Sequence, residues 1–126
     1  MNMITFQITE KDVEQYAVIS GDYNPIHLDI EAAKQQGFTN KIAHGMLTVA
    51  KVLSVLSNES LIPQVLLSQY EFTFISPVYV GDLVTLTIKQ AENKIRVEGK
   101  CGGKIVVKGC LIVVREIPDD LYWIDV

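Results

Sequence analysis

The sequence lacks several features that would each indicate a broad class of protein. It has no excess of positive charge, since its net charge is −4 at pH 7, and it shows no basic stripe. A general nucleic-acid binder needs such a stripe to neutralise phosphates, so the composition argues against this class. It also has no run of about 18 uncharged apolar residues and no basic leader before an apolar segment. We therefore expect a soluble, cytoplasmic protein that does not enter the membrane.

Cysteine is also scarce. Cys101 and Cys110 flank a predicted hairpin that turns at Gly102-Gly103. In that register the numbers of paired residues sum to 205, so Cys101 faces Lys104 and Cys110 faces Ile95. We therefore expect no disulfide. The sequence has no Cys/His cluster at ligand spacing and no glycine-rich phosphate loop before a helix, so we also expect no metal and no bound cofactor.

What the sequence does have is enough apolar material for a core. It contains 126 residues, of which 48% are hydrophobic. A chain of this size buries roughly two thirds of its unfolded surface, so we predict one domain spanning residues 1–126.

One short segment combines turn residues with two groups capable of acid/base chemistry. It reads Ser20-Gly21-Asp22-Tyr23-Asn24-Pro25-Ile26-His27, and its glycine and proline interrupt both helical and strand periodicity. The carboxylate of Asp22 and the imidazole of His27 could hold one water between them and exchange protons near neutral pH. The alternatives are a polar surface turn and a structural role for His27 within it.

The residues around this segment predict helices. Thr9 and Asp12 resemble a capping box for a helix over residues 10–19, which Gly21 would end. Asp29 can cap a second helix over residues 30–36. Residues 43–57 contain one charge, Lys51, so we expect a long helix that is buried almost all round.

The second half of the chain predicts strands. Four β-rich runs occupy residues 65–76, 83–91, 95–101 and 105–114, with turns between them. Together with a strand at residues 3–8 they predict an α+β fold, an antiparallel sheet wrapped around one long central helix. The last strand is apolar on both faces, so it should lie centrally or at a subunit contact. The tail at residues 118–123, with the only Trp, is either an oligomer contact or a frayed end.

The central segment resembles the signature of a known enzyme family. The pattern Tyr16-x-x-Ile19-Ser20-Gly21-Asp22-x-Asn24-Pro25-Ile26-His27-x-x-x-x-x-Ala33 is similar to that of the MaoC-like (R)-specific enoyl-CoA hydratases, which have the hot-dog fold. The resemblance implies reversible syn addition of water to a trans-2-enoyl thioester, giving an (R)-3-hydroxyacyl product. The thioester carrier would be CoA or acyl carrier protein. The resemblance also implies that Asp22 and His27 act on opposite ends of one water.

Residues near the start of the long helix complete the predicted site. If the helix begins near His44, the amides of its first turn have no intrahelical partner and can face a developing enolate oxygen. The resemblance implies that Gly45 donates this oxyanion-hole amide, whereas the alternative is a glycine needed for close packing. Asn24 either bonds the loop backbone or orients the Asp22/His27 pair. The remaining predicted substrate-binding residues are Tyr23, His44 as a helix-start or pocket-wall residue, and Met46 and Thr48 as acyl-channel or core residues.

Two other functions stay open at this point. The hot-dog fold also serves acyl-CoA thioesterases, although residues 43–57 lack the acidic residue that many of these place on the buried helix. A non-catalytic acyl-thioester-binding subunit of a heterodimeric dehydratase is the other alternative. Because a single curled sheet leaves apolar side chains and strand edges uncovered, we expect a homodimer or a dimer of dimers.

Overall fold

The computed structural model describes residues 2–58 and 66–114. Within these residues, five strands and four helices follow one another. They are β1 Asn2–Gln7, α1 Glu10–Ser20, α2 Pro25–Leu28, α3 Ile30–Gln35, α4 Gly45–Asn58, β2 Leu66–Phe74, β3 Leu83–Ala91, β4 Lys94–Cys101 and β5 Lys104–Val114.

The strands form a single antiparallel sheet in the order β1-β3-β4-β5-β2. On β3, Val84, Leu86 and Ile88 are each at most 2% exposed and alternate with more accessible residues. These side chains share one core cluster with Leu47, Val52 and Leu56 of α4, so the helix packs on one face of the sheet. The predicted α+β arrangement of one sheet around a long helix is confirmed.

The first helix begins and ends as the sequence predicts. The Asp12 N–H donates to Thr9 Oγ1, and the Thr9 N–H donates to Asp12 Oδ2, each at 3.0 Å. Gly21 follows the helix at φ 77°, a left-handed conformation that glycine adopts without steric cost. The capping box and the glycine therefore fix where the segment that carries Asp22 starts.

Two local predictions are wrong. His27 does not lie in an irregular loop, because Pro25 starts a one-turn helix, α2, that includes it. Proline at the first helical position loses no hydrogen bond, which is why a residue that breaks helices can begin one. In the β4/β5 hairpin Cys101 does face Lys104, but Cys110 pairs with Arg96, because an irregularity at Gly99/Lys100 shifts the register by one residue. Both cysteines are free.

The long helix is less buried than predicted. Leu47, Thr48, Val49, Val52 and Leu56 face the core. Its opposite face, which includes Met46, Ala50 and Ser54, is exposed among the described residues. The last strand, β5, lies centrally between β4 and β2, and β2 is the edge strand on that side. The predicted tail at residues 118–123 lies outside the described residues.

No helix among residues 2–58 and 66–114 is both long and apolar enough to cross a bilayer.

Candidate active site

Short-range hydrogen bonds hold the segment that carries Asp22. The Asp22 N–H donates to Ser20 Oγ at 3.1 Å, and the Asn24 N–H donates to Asp22 Oδ1 at 3.1 Å. The Ile26 N–H then donates to Asn24 Oδ1 at 3.2 Å, which caps α2. Each polar side chain thus bonds the backbone two residues ahead, as Ser and Asn do in turns. The second carboxylate oxygen of Asp22 remains for other partners.

His27 is held by the backbone of Ile42, in the segment between α3 and α4. Its ring is buried, and Nδ1 lies 2.7 Å from the carbonyl oxygen of Ile42. A carbonyl only accepts hydrogen bonds, so Nδ1 carries the proton and Nε2 of the neutral ring presents a lone pair. The Ile42 N–H in turn donates to the Ile26 carbonyl at 3.1 Å. These two bonds fix both the tautomer and the direction of the imidazole.

The two predicted acid/base groups face each other across a gap. Asp22 Oδ2 lies 4.0 Å from His27 Nε2, with the carboxylate side chain 52% exposed and the imidazole side chain 8% exposed. This separation exceeds a direct hydrogen bond, whereas a water about 2.8 Å from each atom would bridge it. The pair therefore forms a water-sized site that is buried at the imidazole and open at the carboxylate.

The surroundings of His27 favour its neutral form. Burial is the main cause that lowers its pKa below the ordinary value of 6.5, and the neighbouring His44 lowers it further. The hydrogen bond to Ile42 and the charge of Asp22 oppose this effect. At neutral pH the imidazole is thus available to accept a proton at Nε2.

Gly45 is the first residue of α4. The N–H groups of Leu47 and Thr48 make the first helical hydrogen bonds, to the His44 carbonyl at 3.1 and 3.2 Å. The N–H of Gly45 precedes them, in the part of a helix that has no internal acceptor. A Cβ at Gly45 would lie 3.0 Å from the ring of Phe74. Close packing therefore gives one sufficient reason for glycine at this position, beside the predicted oxyanion role.

The other predicted site residues are dispersed. Asn24 bonds the backbone as the cap of α2, which is the first of the two roles considered for it. Tyr23 and Met46 are exposed, at 57% and 49%, and Thr48 is only 2% exposed, within the core.

His44 joins the site in a way that sequence reasoning missed. Its ring stacks on that of His27, with centroids 3.8 Å apart and planes inclined by 28°. Its Nε2 lies 3.0 Å from the backbone carbonyl of Asp22, and the ring of Tyr16 lies 4.8 Å away. The sequence contained a hint of this: Tyr16, whose ring lies near His44, belongs to the family signature although it lies outside the turn.

The site also brings together three groups that can bind metals in other proteins. One ligand atom from each of Asp22, His27 and His44 lies within 4.8 Å of the others. However, lone pairs lie in the ring planes, and two rings stacked at 3.8 Å direct them along nearly parallel planes. They do not converge on one ion about 2.0 Å from each nitrogen. The geometry does not fit a metal site.

Comparisons with known proteins show which family the chain is similar to. The family model of the MaoC like domain matches residues 2–109. The 3-hydroxybutyryl-CoA dehydratase of Methylorubrum extorquens is 32% identical over 114 residues, which are 85% of this chain and 73% of that protein. The (R)-specific enoyl-CoA hydratase of Rhodospirillum rubrum is 32% identical over 109 residues, 81% of this chain and 76% of that protein.

Some relatives are longer. The chain spans 59% of the mitochondrial 3-hydroxyacyl-[acyl-carrier-protein] dehydratase of Arabidopsis thaliana, with 31% identity over 100 residues, or 74% of this chain. Among solved structures, the (R)-hydratase from A. caviae involved in PHA biosynthesis superimposes with a TM-score of 0.77 at 27% identity, covering 93% of each chain. The five-stranded sheet and its helix thus form the hot-dog fold. With its match over residues 2–109, the chain belongs to the MaoC-like dehydratase family.

Proposed function

We propose that the protein is an (R)-specific enoyl-thioester hydratase, equally an (R)-3-hydroxyacyl-thioester dehydratase, in which Asp22 and His27 hold the reacting water. The observation that carries this proposal is the 4.0 Å separation of Asp22 Oδ2 and His27 Nε2, with Nδ1 bonded to Ile42. Relatives named as hydratases and dehydratases, both hydro-lyases, support the reaction class.

The bond changes can be written for hydration. As the water oxygen attacks Cβ, its proton passes to Nε2 of His27, and the Cα=Cβ electrons move into the thioester to give an enolate. The imidazolium then returns that proton to Cα, on the face from which the water came. Addition is therefore syn, and dehydration is the reverse. The Asp22 carboxylate accepts the second hydrogen bond of the water and stabilises the transient imidazolium.

The enolate oxygen needs a donor. We assign this role to the N–H of Gly45, because it precedes the first helical hydrogen bonds of α4 and lies at the positive end of the helix dipole. Met46, exposed beside it, and Tyr23 are the residues that we assign to contact the substrate. No metal or bound cofactor is required by these steps, and CoA or acyl carrier protein enters as part of the substrate.

Crotonyl-CoA tests the reaction directly. The purified protein should remove the conjugated enoyl absorbance and form (R)-3-hydroxybutyryl-CoA, and chelator should not change the rate. Exclusive (S) product would contradict the family mechanism. Release of free CoA thiol without hydration would favour the thioesterase alternative, and no reaction with either CoA or carrier-protein thioesters would favour a non-catalytic subunit.

We also propose a homodimer or a dimer of dimers that forms through the edge of β2. The sequence suggested uncovered strand edges and apolar side chains as the reason, and β5 is not such an edge because it is paired on both sides. Instead, β2 ends the sheet, and Tyr70 and Phe74 on it are 49% and 51% exposed. Met46 on the exposed face of α4 adds to this apolar surface. Free edges and exposed apolar side chains of this kind are commonly covered by a partner.

Sedimentation at micromolar concentration tests the assembly. Tyr70→Lys should shift the protein toward monomer and lower activity, while Met3→Lys on the opposite edge strand, where Met3 is 64% exposed, should not. A fully active monomer of 14.1 kDa would refute the proposal. A cytoplasmic location also remains a proposal, supported by the two free thiols, which are typical of reducing compartments.

A further inference from the structure

His44 makes contacts that neither catalysis nor simple packing explains. It is 3% exposed, and it lies against His27 on one side and near Tyr16 on the other. The carbonyl of Asp22 can only accept, so His44 Nε2 carries the proton and Nδ1 presents a lone pair. This Nδ1 has no hydrogen-bond partner among the described residues.

A buried acceptor without a partner is unfavourable for folding. A phenyl ring would fill a similar volume without that cost, so the imidazole is costly for stability alone. Phenylalanine at position 44 would lack the N–H that donates to the backbone carbonyl of Asp22. The features of His44 that distinguish it from an apolar residue are therefore directed at the proposed site.

We propose that His44 is a positioning residue for both members of the pair: its Nε2–H holds the main chain of Asp22, and its ring supports one face of the His27 imidazole. This inference rests on the proposed function for its effect on turnover. One side chain thus sets the distance between the two groups that hold the water, and Tyr16 of α1 supports that side chain in turn.

The two histidines donate from different ring nitrogens. His27 donates from Nδ1 to Ile42, and His44 donates from Nε2 to Asp22. Two stacked cations at 3.8 Å would repel one another, so His44 disfavours the charged form of His27. This agrees with the lowered pKa of His27, to which burial contributes most, while Asp22 and the Ile42 hydrogen bond act in the opposite direction.

Two variants separate the two contributions. His44→Phe keeps an aromatic ring and loses the donor, whereas His44→Gln keeps an N–H donor and loses the ring. We expect kcat to fall about 10- to 100-fold for Phe and less for Gln, with KM nearly unchanged, because His44 positions groups that act on substrate without touching it. Val52→Ala on α4, fully buried in the core, is the control for lost stability and should keep the parental kcat.

Nuclear magnetic resonance provides a readout that does not depend on activity. The chain has two histidines, so each ring can be assigned from the His44 variants. In the parent, nitrogen shifts should show His27 protonated at Nδ1 and His44 at Nε2. In both variants His27 should titrate at higher pH than in the parent, and in Val52→Ala it should not.

The outcomes are distinct. Opposite tautomers in the parent, or a His27 titration that is the same in all three variants, would overturn the proposal even if the protein is an active hydratase. Parental kcat in both His44 variants would also overturn it. If the parent lacks hydratase activity but His27 titrates as expected, the proposed function fails while the positioning of His27 stands. If His44→Phe does not fold, the parental tautomers and His44→Gln decide.

Discussion

The segment that carries Asp22 and the sheet core are stabilised by different interactions. From Ser20 to Asn24, each polar side chain bonds the backbone two residues ahead, and the residues are exposed. On β3, by contrast, Val84, Leu86 and Ile88 lie at 2% exposure or less and contribute through burial. The difference implies that Asp22 can be changed with little effect on stability, because its side chain is 52% exposed.

The largest expected effect concerns the water-holding pair. Asp22→Asn and His27→Ala should each lower kcat by about two to four orders of magnitude, because each removes one partner of the reacting water. The unfolding transition should move little for Asp22→Asn, since Asn can still accept the hydrogen bond from the Asn24 N–H. Kinetics on short and medium enoyl-CoAs, with thermal unfolding in parallel, checks this. Near-parental turnover in both variants would remove the pair from the mechanism.

The second prediction concerns the stability of the sheet core. Leu86→Ala, at a position with 0% exposure, should cost about 2–5 kcal/mol of unfolding free energy, because it leaves a cavity in the core. Leu83→Ala on the same strand is the matched control, since Leu83 is 59% exposed and should cost far less. Denaturant unfolding measures both. Equal losses at the two positions would show that burial does not dominate the stability of β3.

A third substitution affects the start of α1, the helix between β1 of the sheet and the segment that carries Asp22. Thr9→Ala removes the side chain that accepts from the Asp12 N–H, so it should cost about 1 kcal/mol. Thr39→Ala, at an exposed position between α3 and α4, serves as the control. Chemical denaturation distinguishes the two. A loss no larger than that of Thr39→Ala would mean that the capping box does not stabilise α1.

The smallest expected effect is a dependence of stability on pH. Because the pKa of His27 is lowered in the folded protein from its ordinary value of 6.5, the unfolded chain binds the proton more readily. Stability should therefore decline as pH falls through and below 6.5, with a slope below about 1.4 kcal/mol per pH unit for one proton. His27→Gln should flatten this part of the profile. An unchanged slope in that variant would assign the dependence to other groups.

Much of the local structure follows from residues close together in the sequence. The Thr9/Asp12 capping box, Gly21 as the end of α1 and the strand at residues 83–91 were all predicted, because each rests on interactions between near neighbours or on strand geometry. The proposed pair was also readable, since Asp22 and His27 lie five residues apart in one turn. The one-turn helix at Pro25–Leu28 was missed because proline was read as a helix breaker and not as a first helical residue.

By itself, then, the sequence determined the caps of α1, the approximate positions of the strands and of the long helix, and which short segment carries Asp22 and His27. The tertiary structure alone decided that His44 stacks on His27, that Cys110 pairs with Arg96, and that β2 lies at an edge of the sheet. The physical reason is the separation along the chain of the residues that interact. Caps and turns are closed by bonds across two to four residues, whereas the position of one ring against another, or of one strand against its neighbour, depends on how the whole core packs.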